Sequence, residues 1–184
     1  MKLIFLDRDG VINKYPGDFE YVKSWQEFEF LPGIEGALKN LSDAGFKIYV
    51  ASNQAGVSKG IYNQETLDAI TKNMLSELKK RDVFVSGVNY CTHRPEDNCT
   101  CRKPKTGMVD SVISDLTKKG ITVDIKNSYF IGDTIRDIET GKKAGLKTIL
   151  VFSGKEKAKN KNQWGILPDF TAEDLPRAAK IILN

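Results

Sequence analysis

The sequence predicts an α/β fold built on a Rossmann-like, doubly wound parallel sheet, and three observations support this prediction. Short apolar runs alternate with helical segments along the chain, which is typical of a parallel sheet with helices on both faces. The first run, residues 3–6, is apolar at every position, as expected of a strand buried on both sides. Acidic and polar residues directly follow several runs, and such sheets bind ligands at the carboxyl ends of their strands.

Five strands are predicted from short apolar or β-branched runs that are bounded by turn residues. The second strand follows Gly45, and the third is weakened by Gly87, because a glycine inside a strand has no side chain to pack. In chain order the predicted strands cover residues 3–6, 46–51, 83–90, 128–131 and 147–152.

Five helices are predicted from apolar residues that recur at helical spacing. The first begins after Pro32-Gly33, while Gly45 and Gly145 end the first and fourth helices. In chain order the predicted helices cover about 34–44, 64–80, 108–116, 135–144 and 172–183.

Two longer segments lie outside these elements. The aromatic-rich stretch 13–31 has no helical period, and we interpret it as a flap that faces the substrate. The lysine- and asparagine-rich stretch 155–163 is predicted to be a solvated loop. No repeat and no interdomain linker is found, and no large cap insertion follows Gly10 or Gly60. We therefore expect one largely capless domain that spans residues 1–184.

Composition limits the classes of function. The apolar fraction of 40% and the charged fraction of 28% are ordinary for a globular domain. No apolar run reaches membrane length and the chain begins without a signal-peptide layout, so we expect a cytoplasmic, membrane-free monomer. The formal charge of +4 is too small to indicate nucleic-acid binding, but it suits anionic small substrates.

Polar residues at the strand ends are predicted to meet at one edge of the sheet. Asp7 and Asp9 end the first strand, Ser52 and Asn53 end the second, and Asp133 ends the fourth. If Asp7 and Asp133 lie on neighbouring strands, about 4.8 Å apart, their oxygens suit one hard cation, and the scarcity of imidazole and thiol groups at this edge favours Mg²⁺.

This arrangement suits phosphoryl transfer. Asp7 is placed to attack phosphorus and form an aspartyl-phosphate, and Asp9 to protonate the leaving oxygen and later activate water. A lysine and a small hydroxyl residue such as Ser52 suit the phosphoryl oxygens. Lys103 and Lys105 both lie in the loop after the third strand, and spacing does not choose between them.

A second cluster, in the pattern Cys-x-His-x5-Cys-x-Cys, comprises Cys91, His93, Cys99 and Cys101. Four soft or borderline ligands within eleven residues are typical of tetrahedral structural Zn²⁺, with no position left for water. The alternative is an unligated loop with coincidental cysteines. Bound zinc would fix the loop and thereby place the residues that directly follow the last cysteine.

Four ordered motifs resemble those of haloacid dehalogenase superfamily phosphatases: Asp7-Arg8-Asp9-Gly10, Ser52-Asn53-Gln54, the Lys103 segment and the stretch 132–137. The resemblance covers residues 3 to about 151. Within the superfamily the chain is similar to the small, largely capless branch of heptose bisphosphate and histidinol phosphate phosphatases. The stretches Asn53-Gln54-x-Gly56 and 101–104, together with the zinc loop, carry this narrower similarity.

The resemblance implies a role for each matched residue. It makes Asp7 the nucleophile and Asp9 the acid and base, with Asp133 and the Asp9 carbonyl completing the Mg²⁺ site. It favours Lys103 over Lys105. Asp137 becomes a supporting carboxylate, although its position equally suits a helix cap. The residues expected to bind the phosphoryl group or the rest of the substrate are Ser52, Lys103, Asn53, Gln54, Ala55 and Arg102.

The substrate expected from this branch is a phosphorylated sugar, D-glycero-D-manno-heptose 1,7-bisphosphate, and Arg102 would bind its second phosphate. Histidinol phosphate stays open as an alternative, because Glu96 and Asp97 offer acidic partners for its amine.

Other classes fit less well. A phosphoacceptor signalling domain would end its third strand in an aspartate, where this chain has Tyr90-Cys91. A nucleic-acid module would need aromatic residues among the basic ones of the zinc loop. A phosphatase of nucleic-acid ends shares the same motifs and also stays open.

Overall fold

The computed structural model describes residues 1–184 and contains one sheet of six parallel strands. The strands lie in the order β3-β2-β1-β4-β5-β6, so the order reverses beside β1 and confirms the doubly wound prediction. Their bounds are β1 Lys2–Leu6, β2 Phe46–Asn53, β3 Gly87–Cys91, β4 Tyr129–Gly132, β5 Lys147–Val151 and β6 Phe170–Ala172.

Five helices cover the two faces of the sheet. Residues of α1, α2 and α5 share the larger hydrophobic core of 25 buried residues, while α3 packs into a second core of 10 on the other face. The helix α4 lies directly on the second face, since a Cβ at Gly141 would come within 2.8 Å of Phe130. The helices are α1 Ile34–Asp43, α2 Gln64–Lys79, α3 Gly107–Lys118, α4 Ile135–Lys143 and α5 Leu175–Leu183.

The strand β1 is central because both of its faces are apolar. Leu3, Ile4, Phe5 and Leu6 are all fully buried, and they divide between the two cores by alternation along the strand. The strand pairs with β2 on one side and β4 on the other, and Leu6 lies opposite Val50 and Ile131. The residues that follow these three strands therefore meet at one edge.

The structure corrects the prediction for the third strand. It begins at Gly87 and not at residue 83, because the amide of Val83 still donates to Leu78 O of α2. Asp82 reverses the chain there with φ +57°, so Val83 is buried as the end of a helix cap and not as part of a strand.

Two further differences lie near the C-terminus. The short edge strand β6 was not predicted, because its first two residues are exposed and give no apolar run. The last helix begins at Leu175, where Asp174 caps it, and not at residue 172. The stretch 155–163, predicted as loop, contains a 3-10 helix at Ala158–Gln163.

The segments after β1 and β2 carry no cap domain. Residues 7–33 contain one 3-10 turn at Trp25–Glu27 and two isolated β-bridges at Asn13, and residues 54–63 contain no helix or strand. The flap has two parts. Trp25 stacks on Phe28, Phe30 packs edge-on against both rings, and all three pack against the larger core. The preceding stretch 15–21 lies at the surface. None of the five helices has the length and apolar character that a membrane span requires.

Candidate active site

Three carboxylates and one lysine lie together at the carboxyl ends of β1 and β4. Oxygens of Asp7, Asp133 and Asp137 all lie within 4.8 Å of one another. The ammonium group of Lys103 is 2.9 Å from Asp7 Oδ2 and 2.6 Å from Asp137 Oδ1. The Lys103 side chain is 2% exposed, so these two ion pairs are shielded from water and removal of one partner would leave a buried charge unpaired.

The geometry separates the two candidate lysines. The backbone of Lys103 is fastened to the end of β2, because Asn53 accepts from Lys103 N at 3.1 Å and donates to Lys103 O at 3.2 Å. Lys105 instead turns to the surface and donates to the carbonyl groups of Asn98 and Cys99. Only Lys103 therefore reaches the carboxylates.

Asp137 has two partners at once. Its Oδ2 accepts from the amide and the hydroxyl of Thr134, at 3.0 and 2.6 Å, in a capping box at the start of α4. Its Oδ1 pairs with Lys103. The two roles that the sequence left as alternatives, a supporting carboxylate and a helix cap, are thus both present.

Asp133 is held by backbone atoms on three sides. Its Oδ2 accepts from Lys155 N at 2.7 Å. A Cβ at Gly10 would lie 2.3 Å from the same oxygen and one at Gly154 would lie 2.0 Å from it, so the carboxylate occupies space that only two glycines leave open. Gly10 also has φ +82°, a conformation that glycine adopts without strain.

The charge balance of the site fits a divalent cation. Burial and the Asp7 charge raise the pKa of Asp133 well above its usual range. Burial also raises the pKa of Asp7, although Lys103 opposes the shift. Four carboxylates, those of Asp7, Asp9, Asp133 and Asp137, form ion pairs with only two cations, Arg8 and Lys103, which leaves two negative charges without a paired cation. Oxygen donors with this surplus fit Mg²⁺.

Asp9 is held in a cage that consists only of hydrogen-bond donors. Arg8 binds both of its oxygens in a fork at 2.9 to 3.1 Å, and the Asn13 amide donates to Oδ1 at 2.9 Å. The Gln54 amide donates to Oδ2, also at 2.9 Å. Arg8 is fully buried and lies over the Tyr90 ring. One edge of the Asp9 carboxylate stays open, since 22% of the side chain is exposed.

A cavity of about 340 Å³ opens above these groups. Of the residues predicted for the site, those that line it are Asp7, Asp9, Ser52, Asn53, Ala55, Arg102, Lys103 and Asp133. The Ser52 hydroxyl lies at the cavity floor beside Asp7 and helps to oppose the rise in the pKa of that carboxyl. Gln54, which was also expected to bind substrate, does not line the cavity and is 1% exposed. Its side-chain amide is hydrogen-bonded to Asp9, Ser52 and Tyr62.

The cavity wall also contains residues that the sequence reasoning did not single out. Asp18 of the flap accepts from Tyr15 Oη at 2.5 Å and pairs with Lys155 at 2.6 Å, which links the flap to the loop after β5. Lys59 and Arg136 add positive charge to the wall. Tyr15 and Asp18 belong to the stretch 13–31 that was predicted to face the substrate. No motif marks Lys155, whose position depends on the long-range fold.

The cysteine cluster forms a compact second site beside the first. The Cys91 and Cys99 sulfurs are 3.6 Å apart, those of Cys99 and Cys101 are 3.5 Å apart, and His93 Nδ1 is 3.3 Å from the Cys101 sulfur. These separations approach the edge of about 3.7 Å in a tetrahedron with metal–sulfur bonds of about 2.3 Å. The four donor atoms therefore fit Zn²⁺.

The surrounding loop contributes to this second site. Burial raises the pKa of Cys91 to about 12. At Cys99 burial also acts to raise the pKa, but hydrogen bonds from the Arg102 amide and the neighbouring thiols outweigh it and lower the pKa to about 7. Arg94 anchors the loop by donating to Ser58 O, and the Arg102 guanidinium donates to His93 O at 3.1 Å. The loop thus connects the cysteine cluster to the backbone of Lys103.

Comparisons with known proteins agree with this geometry. The model of the HAD-hydrolase-like family matches residues 100–178. The D-glycero-D-manno-heptose-1,7-bisphosphate 7-phosphatase of Chlorobaculum tepidum is 36% identical over an alignment of 184 positions. The alignment covers 96% of this chain and 92% of that protein. The D-glycero-beta-D-manno-heptose-1,7-bisphosphate 7-phosphatase of Escherichia coli K12 is 34% identical and covers 96% of this chain and 93% of its own length.

A solved structure is similar over the whole chain. The D,D-heptose 1,7-bisphosphate phosphatase from B. bronchiseptica, complexed with magnesium and phosphate, superposes with a TM-score of 0.88 at 34% identity, and the match covers 100% of this chain and 98% of that one. Identity above 30% over nearly the full length of these relatives establishes common ancestry and a common fold. The chain belongs to the haloacid dehalogenase-like hydrolase family and is one of its phosphatases.

Proposed function

We propose that the protein removes the 7-phosphate of D-glycero-D-manno-heptose 1,7-bisphosphate through an aspartyl-phosphate intermediate. The observation that carries this proposal is the contact of Lys103 with both Asp7 and Asp137 at the floor of an open polar cavity. A buried ammonium beside a carboxylate nucleophile suits a dianionic phosphoryl group. The names of the relatives supply the substrate.

In the first step, an Asp7 oxygen forms a bond to phosphorus while the bond from phosphorus to the sugar oxygen breaks. The proton on Asp9 moves to that oxygen, and the free alcohol leaves. In the second step, water attacks the aspartyl-phosphate, its proton passes to the Asp9 carboxylate, and the bond from phosphorus to Asp7 breaks to release phosphate. Asp9 is thereby protonated again and ready for the next turnover.

The remaining groups bind and orient the phosphoryl group. Lys103 and the Ser52 hydroxyl adjoin Asp7 and face its oxygens, and Asn53 and Ala55 line the adjacent wall. Mg²⁺, held by Asp7, Asp133 and the Asp9 carbonyl oxygen, would neutralise charge on the carboxylates and the phosphoryl oxygens. Asp137 would keep Lys103 in place through their ion pair, while its other oxygen caps α4.

We assign the cysteine cluster to structural Zn²⁺, because all four of its positions are filled by protein donors. The ligands would be Cys91, His93, Cys99 and Cys101. Their role is to fix the loop that carries Arg102 and Lys103. A set of closely spaced thiols that serve as ligands suits a reducing compartment, so we propose that the protein acts in the cytoplasm. We also propose that residues 1–184 work as one domain and as a monomer.

The cavity wall favours a bisphosphate over histidinol phosphate. Four basic residues of the wall, Arg102, Lys59, Arg136 and Lys155, outnumber its two acidic ones, Asp18 and Glu20. The net positive charge suits a second phosphate better than an amine. Glu96 and Asp97, the acidic residues considered for the amine, do not line the cavity. The Asp97 carboxylate already accepts a hydrogen bond from Arg94 N at 2.8 Å.

A direct assay tests the proposal. Purified protein with Mg²⁺ is incubated separately with heptose 1,7-bisphosphate and with histidinol phosphate, and kcat/KM is measured from phosphate release. Phosphorus NMR of the heptose product identifies which phosphate remains. Preferred turnover of the bisphosphate with the 1-phosphate retained supports the proposal. A preference for histidinol phosphate, or loss of the 1-phosphate, would show that the substrate is wrong.

A further inference from the structure

Gln54 and Tyr62 form a buried chain of hydrogen bonds that ends on Asp9. Tyr62 Oη donates to Gln54 Oε1 at 2.8 Å, and Gln54 Nε2 donates to Asp9 Oδ2 at 2.9 Å. The same Nε2 donates to Ser52 Oγ at 3.2 Å. Gln54 is 1% exposed and Tyr62 is 7% exposed, and neither lines the cavity. They are therefore placed to act on Asp9 and Ser52, and not on substrate directly.

The orientation of the Gln54 amide is determined by its partners. In the carboxylate form of Asp9 both oxygens only accept hydrogen bonds, so the Gln54 amide turns its NH₂ group toward Asp9 and its oxygen toward Tyr62. Burial raises the pKa of Tyr62, which keeps its hydroxyl protonated and able to donate. Without that hydroxyl, Gln54 Oε1 would lose its donor and the amide would be free to turn.

The Tyr62 ring is fitted closely into the chain. A Cβ at Gly56 would lie 2.2 Å from Tyr62 Cε1, so the ring occupies space that only a glycine leaves open. Tyr21 packs edge-on against the ring, with centroids 6.1 Å apart. These contacts fix the ring independently of its hydroxyl, which means that Tyr62→Phe removes one hydrogen bond and leaves the packing in place.

Gln54 differs from the other residues that hold Asp9. Arg8 and Asn13 belong to the same short segment as Asp9 and move with it. Gln54 follows β2 and contacts Ser52 and Asp9 with one nitrogen, so it links the strand that binds the phosphoryl group to the residue that serves the leaving oxygen. Asp9 Oδ2 accepts hydrogen bonds only from Arg8 and Gln54, whereas Asp9 Oδ1 accepts from Arg8 and Asn13.

We propose that Gln54 and Tyr62 are positioning residues that set the Asp9 carboxylate relative to Ser52, so that it meets the leaving oxygen of a bound phosphate. This inference rests on the proposed acid and base role of Asp9. It deepens that role by naming the residues outside the Asp9 segment that control it. Their contribution should be confined to substrates whose leaving group needs a proton.

The experiment uses Tyr62→Phe in the full chain with a series of phosphate esters, from aryl esters with acidic leaving alcohols to simple alkyl esters. The measured quantity is kcat/KM, which reports steps up to departure of the leaving group. We expect alkyl esters to lose about tenfold, equivalent to about 1.4 kcal/mol, and 4-nitrophenyl phosphate to be unchanged. Tyr129→Phe is the control, because that buried tyrosine lies at the opposite end of the sheet.

Asp9→Asn separates failure of this inference from failure of the proposed function. It should produce the same selectivity for leaving groups, to a greater degree. If Asp9→Asn lowers both ester classes equally, Asp9 is not the acid and both proposals fail. If Asp9→Asn is selective but Tyr62→Phe lowers kcat/KM for both ester classes equally, or for neither, the positioning role of Gln54 and Tyr62 is refuted and the role of Asp9 stands.

A second variant keeps the test decisive if Tyr62→Phe folds poorly. Gln54→Met removes the donor to Asp9 with a side chain of similar length. It should show selective loss with alkyl esters that exceeds that of Tyr62→Phe. Equal loss across the series in a folded Gln54→Met protein would also overturn the inference, because a general disturbance of phosphoryl binding does not depend on the leaving group.

Discussion

Lys103 and Asp137 are joined by a fully buried ion pair of 2.6 Å, and Asp137 at the same time caps α4 through Thr134. The pair therefore connects the loop that follows the cysteine cluster to the helix that follows Asp133. Because Lys103 also contacts Asp7, a change at Asp137 should be felt at the phosphoryl site without any contact between Asp137 and the substrate.

Asp137→Asn should reduce stability and activity together. The amide still accepts from Thr134 but turns its NH₂ group toward the Lys103 ammonium, and breaking a buried pair costs about 3 kcal/mol. We expect a lower free energy of unfolding in denaturant and a lower kcat/KM. Asp115→Asn, which breaks the exposed pair with Lys118, is the control and should change neither. Wild-type stability of Asp137→Asn would contradict the structural role of the pair.

The nucleophile can be tested by trapping. Asp7→Asn should fold and lose turnover, because an amide does not attack phosphorus. Asp9→Asn should still transfer the phosphoryl group from an activated ester but hydrolyse the intermediate slowly, so acid-quenched protein should carry a phosphate on Asp7 by peptide mass spectrometry. Near-wild-type turnover in Asp7→Asn, or a phosphate on another residue, would exclude the covalent route through Asp7.

Removal of metal should make stability depend on pH in a defined direction. Burial raises the pKa of Asp7 and of Asp133 in the folded protein, so the folded state binds more protons than the unfolded state between the ordinary carboxyl pKa and the raised values. Across that window the stability of metal-free protein should fall as pH rises.

Added Mg²⁺ should reverse this trend, because it binds the ionised carboxylates. The expected result is a Mg²⁺-dependent rise in Tm that is large near neutral pH and small in mild acid. The control is Asp133→Asn, in which the rise should be much reduced. An equal rise in Tm at both pH values would contradict the assignment of the cation to these carboxylates.

Much of the site could be predicted because its residues follow directly from strand ends. The fully apolar run 3–6 predicts a buried strand that ends at Asp7. That Asp133 lies beside it was only a condition in the sequence, and the pairing of β1 with β4 fulfils it. The four metal donors within one loop are likewise local in sequence.

What sequence reasoning missed depends on contacts between distant residues. Lys103 differs from Lys105 only through its backbone pairing with Asn53, fifty positions away. The family resemblance suggested a substrate contact for Gln54, whereas its amide lies between Asp9 and Tyr62, a pairing that no local pattern marks. The edge strand β6 is exposed and short, and only its pairing with β5 defines it.

The cysteine loop should act on catalysis through Lys103. Cys99→Ser should lose zinc, lower Tm and lower kcat/KM together, because the loop would lose its anchor next to Arg102 and Lys103. Thr100→Ser, an exposed position in the same loop, is the control and should change none of the three quantities. Zinc content is measured by elemental analysis. Normal kinetics in a zinc-free Cys99→Ser protein would separate the cluster from the active site.

Selectivity for a second phosphate should depend on Arg102. Its guanidinium lines the cavity and is tethered by His93 O alone, so it is free to form a forked contact with a phosphate. Arg102→Ala should lower kcat/KM for heptose 1,7-bisphosphate by roughly 2–4 kcal/mol of transition-state stabilisation. The same substitution should hardly affect a heptose 7-phosphate that lacks the second group.

Arg136→Ala tests whether the position of the positive charge matters or only its presence, since Arg136 belongs to the same cavity wall but follows β4 and not the zinc loop. Equal losses for the two substrates in Arg102→Ala would mean that Arg102 serves the reacting phosphate or the loop fold, and the assignment of the second phosphate to this side of the cavity would then be wrong.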